Sequence, residues 1–561
     1  MKFRDGKIQA IFLALPMLIA VIFALLLPYG AAFIKAFGSG EKITVFQNAA
    51  LINVTLFTIK QAFFSVLISL AIGLPGAWII GTLNEGSGNK GRFNIASLLR
   101  VITAIPFAMP SILVVLGFVL FFGNSGWINR FLAILPGHSL GHNPLRILYR
   151  WEAIVLAHGF FNFPLVIRLA GDGLARARGA YGRAASSLGA SPVTAIFTVI
   201  LPLSIPAVLS AALLVFLYSF TSFAIVLVLG GGPASTTLAV EIYRHARIFL
   251  NYRNAGALAI VETLIALTVF LTYVLLGRKA REIKTGVDEK AQEEKVSSAP
   301  IIFFTAIYGF FALTFILGPL LSVVLESFLA RPSRSAPQVF SLVWWKSLEL
   351  SRTNTLVPAL FRSLFLSILS ATLSCILAIS ASLSVKLFEN QGKSKLPVNV
   401  IRFFASAPLV SSGIVLALGC LILYGSRFSR SPLTLVVLHA VSALPFAFNS
   451  ISEAFRSMPA NTVNAALISG ASPVTALLTT ALPVSMSRLR SAWGLAAALS
   501  MGELNAVMML GMENWETLPL YIFRATGSYR YGTACAAGNL LILCCAAGLF
   551  LSEARRKKSA A

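Results

Sequence analysis

Charged side chains are scarce in this chain of 561 residues. Only 12% of the residues are Asp, Glu, Lys or Arg, against roughly 25% in soluble domains. Twenty residues are acidic and five are histidine, so the sequence has few groups from which to build a metal or acid–base site. It also contains no nucleophile elbow and no clustered His/Asp/Glu set, which argues against a membrane enzyme.

Cysteine is rare as well, and its spacing excludes the common zinc and redox motifs. The sequence has no CxxC pair and no histidine set near a cysteine, so we expect buried free thiols at Cys375, Cys420, Cys535, Cys544 and Cys545.

A phosphate-binding loop is missing too. The nearest match, "GSGNKGRF" (86–93), ends in Arg-Phe where such a loop needs Lys followed by Ser or Thr. We therefore expect a simple turn there, no ATPase of the chain's own, and no bound cofactor or metal.

Long apolar runs dominate what is present: 57% of the residues are hydrophobic and the mean hydropathy is +0.83. Runs of about 20 residues can cross the hydrocarbon core of a bilayer, and in lipid they should be helical. The first run is too long for the core of a signal peptide, so we expect it to remain uncleaved. The sequence predicts an all-α integral membrane protein with twelve spans: 8–29, 52–80, 101–123, 153–171, 203–229, 256–276, 301–325, 359–385, 403–425, 434–452, 492–511 and 532–551.

The net charge of +25 is scattered through short loops rather than gathered in one basic patch. With an even number of spans both termini lie on one side, and the loops of that side hold 26 of the 45 lysines and arginines. Positive residues accumulate in cytoplasmic loops, so the bias predicts that both termini are cytoplasmic. Basic loops facing anionic lipid explain this charge without nucleic acid.

One short polar phrase occurs twice. "GASPVTA" begins at Gly189 and again at Gly470, and 13 of 22 residues are identical between 183–204 and the segment 281 positions later. The same shift pairs His158 with His439. Each copy belongs to a set of six spans, which predicts two parallel repeats related by an axis along the membrane normal. We call residues 1–277 half one and residues 301–561 half two; residues 278–300 form a charged cytoplasmic linker.

Both copies fall in the loop between the fourth and fifth span of their half, at 176–202 and 457–483. Gly189 is suited to end a short helix, Ser191 to cap the next one, and Pro192 to stand in its first turn. Pro202 is predicted to end this element before the fifth span. The second copy repeats the pattern with Ala465, Ala466, Gly470, Ser472, Pro473 and Pro483. The spans beside the phrase differ far more than the phrase does, so we expect both copies to face the same kind of partner.

These residues resemble the EAA loop of permeases from binding-protein-dependent ABC importers, which implies the type I permease fold. In that family the loop forms a coupling helix that docks on a cytoplasmic ATPase. The resemblance rests on Ala184, Ala185, Gly189 and Pro202 and on Ala465, Ala466, Gly470 and Pro483, with Ala190, Ser191 and Pro192 and Ala471, Ser472 and Pro473 between them. The leading Glu of the family is replaced by Arg183 and Asn464. An anionic contact to the ATPase is therefore missing or supplied from elsewhere.

The resemblance implies a set of partners and a location. It implies two copies of a cytoplasmic ABC ATPase, and these copies would bind ATP and Mg²⁺. It also implies a periplasmic or lipid-anchored binding protein and a location in a bacterial inner membrane.

The stretches "HGFFNFPLVIRLA" (158–170), "LGGGPASTTLAVEIY" (229–243) and "ETLPLYIFRATGSYR" (516–530) are similar first to thiamine-type permeases, then to iron(III)-type ones. Thiamine or a thiamine phosphate is the cargo so implied, with iron(III) as the alternative. A secondary transporter is the alternative of another class, but it would need titratable groups near mid-membrane, which are few here.

Several polar residues in the spans are candidates for the transport pathway. Glu503 lies inside a predicted span and has Ser222 as its counterpart in half one. It could line the pathway or make a hydrogen bond between helices, and both interpretations stay open. Glu262 in the sixth span is open in the same way. For His158 and His439 a packing role or a bond between helices is favoured over a substrate contact.

The two outer loops that follow the fifth spans, 229–237 and 510–519, occupy equivalent positions. In the resembled family this region forms the outer gate, where the binding protein docks. Gly231 and Gly232 permit sharp turns there. Glu513, Trp515 and Glu516 are candidates to contact the binding protein or a cationic substrate. An ordinary interfacial loop with a Trp anchor is the alternative.

Overall fold

The computed structural model describes most of the chain, and almost every element in it is helical. The described residues are 2–38, 49–83, 103, 106, 109–133, 145–230, 232, 235–282, 299–330, 339–350, 356–390, 395–458, 465–466, 468–512 and 515–553. The expectations for 86–93, Gly231, Asn464, Glu513 and linker residues 283–298 lie outside these ranges.

Half one consists of long membrane helices joined by short helices on both sides. Its first helix contains a π-helical turn, Ile22–Leu26, and three further π turns follow at Ala177–Gly182, Ile196–Ile200 and Arg244–Ile248. The α-helices are α1 Lys2–Val21, α2 Leu27–Phe37, α3 Ala49–Leu83, α4 Ser111–Phe122, α5 Trp127–Leu132, α6 Trp151–Arg176, α7 Arg183–Ser187, α8 Pro192–Ala195, α9 Leu201–Phe220, α10 Ala224–Leu229, α11 Leu238–Tyr243 and α12 Tyr252–Glu282.

Half two repeats this order and adds a small antiparallel pair of strands, β1 Leu329–Ala330 and β2 Val339–Phe340. A 3₁₀ turn, Ala407–Val410, and a π turn, Leu477–Ala481, interrupt its helices. The α-helices are α13 Ala299–Glu326, α14 Val343–Leu350, α15 Leu356–Asn390, α16 Lys395–Ser406, α17 Gly413–Ser429, α18 Pro432–Arg456, α19 Pro473–Ala476, α20 Leu482–Met501, α21 Asn505–Leu510, α22 Leu518–Gly527 and α23 Tyr531–Glu553.

The predicted fold class is confirmed, but the number of spans differs from twelve. Within the described residues ten helices are long and apolar enough to cross a membrane, or eleven when the pair Lys395–Val410 and Gly413–Gly425, bent by 97°, counts as one span. The predicted span 492–511 does not meet these criteria. It divides into α20, which carries Arg488 and Arg490, and the short α21.

Two predicted spans end early at matched positions. α9 ends at Phe220, and α10 begins after a three-residue break; α20 ends at Met501, and α21 begins after an equal break. Each short helix packs against the third long helix of its own half, α10 on α4 and α21 on α17. The break therefore directs the chain from the fifth span onto the third long helix of its own half.

The two halves exchange their first helices. α2 of half one packs on α17 of half two, and α13 of half two packs on α4 of half one. Hydrogen bonds fasten both exchanges: Ser384 Oγ donates to the Ala10 carbonyl at 2.6 Å, and Tyr308 Oη donates to the Ile72 carbonyl at 3.0 Å. The halves are thus interlocked by long-range contacts and not merely joined by the linker.

Candidate functional site

The repeated phrase of half one folds as a short helix, a left-handed glycine and a second short helix. α7 ends before Gly189, which has φ +86°. The Ala190 N–H donates to the Ala185 carbonyl and the Gly189 N–H to the Ser186 carbonyl, both at 3.0 Å. This pair of bonds is the Schellman motif, which satisfies helix C-terminal carbonyls and favours glycine. The predicted role of Gly189 as terminator is confirmed.

Ser191 caps the second short helix. Its Oγ accepts from the Thr194 N–H at 3.2 Å and contacts Thr194 Oγ1 at 2.8 Å. Half two reproduces this geometry: Ser472 Oγ lies 3.2 Å from Thr475 N and 2.7 Å from its Oγ1. There Gly470 has φ +91°, and the Ala471 N–H donates to the Ala466 carbonyl at 3.1 Å. Pro192 and Pro473 begin α8 and α19.

The prediction that Pro202 and Pro483 end these elements is wrong. Each stands in the first turn of the following long helix, α9 or α20, directly after a π turn. The Leu201 N–H donates to the Ile196 carbonyl, five residues back. Proline lacks an N–H, so it is tolerated where the wider turn already changes the hydrogen-bond register. The short helix therefore continues into the membrane helix, which gives a mechanical connection between the loop and the span.

The loops present apolar side chains to solvent. Leu188 is 88% exposed and Ile468 is 87% exposed, while Val193 and Phe197 extend this surface in half one. Arg183 is exposed beside them, and so are Ala184 and Ala465. Exposed apolar surface of this kind is typical of a protein interaction site when the side chains form one patch.

On the opposite side, two short helices occupy matched positions after the fifth spans. The N–H of Leu238, at the start of α11, donates to Thr58 Oγ1 at 3.1 Å. The N–H of Leu518, at the start of α22, donates to Ser363 Oγ at 2.8 Å. Each hydroxyl belongs to the second long helix of the same half. This pair of hydrogen bonds was not among the predicted contacts, although the repeat of "TLAVEIYR" (237–244) in "TLPLYIFR" (517–524) marks the helix starts.

An arginine on α22, and one directly after α11, pairs with a carboxylate. Arg524 lies 2.9 Å from Glu516, which is 5% exposed, and Arg244 lies 2.7 Å from Glu241. The Glu516 carboxylate is thus held within half two. Trp515 lies beneath Arg362, whose guanidinium carbon is 5.4 Å from its ring centroid. Gly232 has φ +128°, in agreement with the sharp turn expected there.

Glu503 lies in the break between α20 and α21. Its Oε1 accepts from the N–H groups of Asn505 at 3.0 Å and Ala506 at 3.2 Å, so it caps α21. A Cβ added to the preceding Gly502 would lie 2.8 Å from Pro110 Cβ, in half one. The structure therefore places Glu503 where the two halves meet. Ser222 lies in the matched break of half one.

The other intramembrane polar residues are buried between helices. Glu262 is 1% exposed and faces Ser412 of the other half. His158 Nδ1 lies 3.2 Å from Ser65 Oγ, and His439 Nδ1 lies 3.0 Å from Ser500 Oγ. Both histidines thus bond to a neighbouring helix, as favoured from the sequence. Among the described residues no three His, Cys, Asp or Glu side chains are grouped to hold a metal.

Comparison with known proteins agrees with this architecture. Residues 73–282 match the family model of the binding-protein-dependent transport system inner membrane component. The resemblance seen in the repeated loops is thereby confirmed: the chain is similar to fused, two-half permeases of the binding-protein-dependent ABC importer class, which are multi-pass proteins of the inner membrane.

Its relatives include permeases of similar length. The thiamine transport system permease protein ThiP of Haemophilus influenzae is 28% identical over 538 residues, covering 94% of this chain and 93% of that protein. ThiP of Escherichia coli is 27% identical over 517 residues, covering 90% and 89%. The spermidine/putrescine permease PotB of Salmonella typhimurium is 25% identical over 280 residues, which are 92% of PotB but 49% of this chain. A permease about half as long as this chain thus aligns with half of it.

Proposed function

We propose that this permease imports thiamine or a thiamine phosphate. The observation that supports this cargo is that seven relatives, each aligned over at least 90% of this chain, are named as thiamine permeases. Alignment over nearly the whole length includes the breaks and outer loops as well as the coupling loops. Iron(III), the alternative inferred from the sequence, is less favoured.

Two copies of a cytoplasmic ABC ATPase bind the loops 176–202 and 457–483 in this proposal. Support comes from the matched left-handed glycines and serine caps and from the exposed Leu188 and Ile468. The ATPases hold the ATP and Mg²⁺; this chain holds neither. Because α8 and α19 run into the fifth spans through a π turn, a push on either loop would be transmitted directly to α9 or α20.

The opposite face, with α11 and α22, receives cargo from a binding protein. Both termini and both loops then lie in the cytoplasm, as the distribution of Lys and Arg favours. Rocking of one interlocked half against the other would open the contact between them alternately to each side. Glu503 lies in the break after the fifth span of half two, next to the contact of Gly502 with Pro110 of half one, and Ser222 lies in the matched break of half one.

The docking proposal is tested by co-purification. The native chain in detergent should bring a nucleotide-binding subunit with it, and ATP hydrolysis should follow that subunit. Changing Gly189→Asp and Gly470→Asp together places side chains at φ +86° and +91°, where L-residues are strained. The double variant should lose the subunit. A native chain that purifies alone, or a variant that keeps its partner, would contradict docking at these loops and favour a secondary transporter.

The cargo is tested separately with the binding protein. Vesicles that contain the native complex should take up labelled thiamine only when ATP is inside and the binding protein is outside. Uptake of iron(III) under the same conditions, without thiamine uptake, would overturn the assignment of cargo while leaving the importer class untouched.

A further inference from the structure

Half one contains one residue more than half two in its outer helix. Arg244 and Arg524 are matched by the repeated sequence and lie 280 positions apart, although their carboxylate partners, Glu241 and Glu516, stand at different places in the two halves. Farther along, the chain turns into the last span through a left-handed Leu250 (φ +54°) and a left-handed Tyr529 (φ +58°), 279 positions apart. Half one therefore has one extra residue between these two points.

This extra residue coincides with the π turn Arg244–Ile248. A π turn accommodates one additional residue in an α-helix and often marks a functional position. The corresponding stretch of half two continues as the regular helix α22. Arg247 lies within this turn, which changes the direction in which its side chain leaves the helix.

The Arg247 side chain crosses from half one to half two. Its guanidinium packs directly on Gly511, so that a Cβ at Gly511 would overlap it and lie 2.7 Å from Nη1. Gly511 is the left-handed residue, φ +61°, that ends α21. The C-terminus of a helix carries partial negative charge, which suits an arginine in this position.

The contact has no counterpart in the opposite direction. At the spacing of 280 positions that aligns Arg244 with Arg524, Arg247 aligns with Gly527, which has no side chain. The residue that matches Gly511 is Gly230, which has an ordinary right-handed φ of −74°. The outer faces of the two halves are therefore chemically different at this point.

The outer loop of half two begins at Gly511, and its described residues 515–517 are held within their own half. Arg362 covers Trp515, Arg524 pairs with Glu516, and Ser363 accepts from Leu518 at the end of the loop. The loop begins directly after α21, which itself follows the break at Glu503. At the first residue of the loop, Gly511, Arg247 of half one makes its contact. A movement of the halves apart on this side must separate the guanidinium from Gly511.

We propose that Arg247 is a positioning residue of the outer gate: it holds the outer loop of half two against half one and stabilises the state in which this side is closed. The proposal rests on the proposed function for the identity of this side as the one that receives cargo. The contact itself belongs to the permease chain and does not require the ATPase or the binding protein.

The test measures the distance between the halves in the full chain, reconstituted in lipid nanodiscs without partners. The five native cysteines are replaced by alanine, and spin labels are placed at Ile248→Cys and Tyr529→Cys, which are 62% and 77% exposed on the outer side of half one and half two. In the Arg247→Ala variant we expect a second, longer distance population. The control is Arg150→Ala, which removes an exposed outer arginine whose partner Glu152 lies in its own half; it should leave the distribution unchanged.

Two further variants keep the test decisive. Gly511→Ala should produce the same longer population, because its methyl group displaces the guanidinium. The lysine of Arg247→Lys keeps the charge but cannot lie flat on the glycine. We expect a longer distance population in this variant too, but a smaller fraction of it. If the alanine variants fail to fold, the distances in Arg247→Lys decide the test. A lysine variant with the parental distribution would overturn the proposal, as would an alanine variant that melts at the parental temperature with unchanged distances.

A second readout connects the gate to transport. In vesicles with the ATPase, Arg247→Ala should raise ATP hydrolysis in the absence of the binding protein and reduce the stimulation that the binding protein causes. Changed distances with no ATPase response would contradict the proposed coupling loops but not the role of Arg247. Unchanged distances would contradict the role of Arg247 whatever the ATPase does.

Discussion

Gly419 lies against the backbone of Pro28, so closely that a Cβ on the glycine would come 2.7 Å from the Pro28 carbonyl oxygen. Pro28 belongs to half one and Gly419 to half two. Gly117 of half one lies in the same way against Pro319 of half two. A Cβ on Gly117 would come 2.7 Å from the Pro319 carbonyl oxygen. These two contacts mark where each first helix packs on the third helix of the other half. Their symmetry shows that the duplication extends to the interface and not only to the loops.

Gly419→Val and Gly117→Val should therefore destabilise the association of the halves. Side chains forced into packed contacts typically cost about 1–3 kcal/mol, and these would push against backbone, which cannot rotate away. Thermal unfolding in detergent should show a lower melting temperature for each variant and a larger loss for both together. Gly30→Val and Gly309→Val are matched controls in the exchanged first helices, since nothing lies within 4 Å of an added Cβ there. A control as destabilising as the test variants would contradict the packing argument.

Leu188→Asp and Ile468→Asp should weaken ATPase binding without affecting the fold. Both side chains are almost fully exposed, so the permease alone does not lose contacts when they change. Burial of a side chain of this size stabilises a complex by about 1.5–3 kcal/mol, which corresponds to at least about tenfold in affinity for each loop. Titration of the purified ATPase against the permease measures this change.

The methionine variants Leu188→Met and Ile468→Met provide the control for docking, since they keep an apolar side chain at each position. They should bind the ATPase as the parent does. Equal affinity for the aspartate and methionine variants would show that these side chains are not covered by the partner.

The local features of the coupling loops were predictable from sequence because short-range chemistry determines them. Gly189 and Gly470 adopt the left-handed conformation, and Ser191 and Ser472 cap the helices that follow. The sequence alone does not decide the role of Pro202, because proline is compatible both with a helix end and with the first turn of a helix. The preceding π turn decides between them, and its hydrogen-bond register is not visible in the apolar pattern.

The long-range features were not predictable in this way. Exchange of the first helices depends on contacts between residues hundreds of positions apart, such as Ser384 with Ala10. The predicted span 492–511 is not one continuous helix, because the break at Gly502 divides it, and the helix before the break carries Arg488 and Arg490. The contact of Arg247 with Gly511 could not be predicted, because it depends on one extra residue of half one in the π turn. That extra residue is recognised only by comparing the left-handed Leu250 with the left-handed Tyr529, and these conformations are known only from the backbone.

Thr58→Val and Ser363→Ala should loosen the two outer helices. Each hydroxyl accepts from a backbone N–H at a helix start, and both acceptors are buried. A buried donor left without its partner costs about 1–3 kcal/mol. Hydrogen exchange should therefore accelerate at the amides of Leu238 and Leu518. Thr268→Val is the control, because that exposed hydroxyl bonds only to a carbonyl of its own helix; faster exchange at Leu238 in this variant would point to a general effect of hydroxyl loss.

Glu503 offers a test that separates structure from transport. Its Oε1 caps α21 through the amides of Asn505 and Ala506. The amide oxygen of Glu503→Gln can accept the same bonds, so this variant should melt close to the parent. Glu503→Ala removes the cap and should lose about 0.5–2 kcal/mol.

Transport should respond differently from stability. A carboxylate at the meeting point of the halves favours a cationic cargo such as thiamine, and the neutral amide does not. We therefore expect ATP-driven uptake to fall strongly in Glu503→Gln, with an unchanged melting temperature and unchanged co-purification of the ATPase. Uptake by Glu503→Gln at the parental rate, together with loss of stability in Glu503→Ala, would restrict this residue to capping α21, because the charge would then make no difference to the passage of the cation.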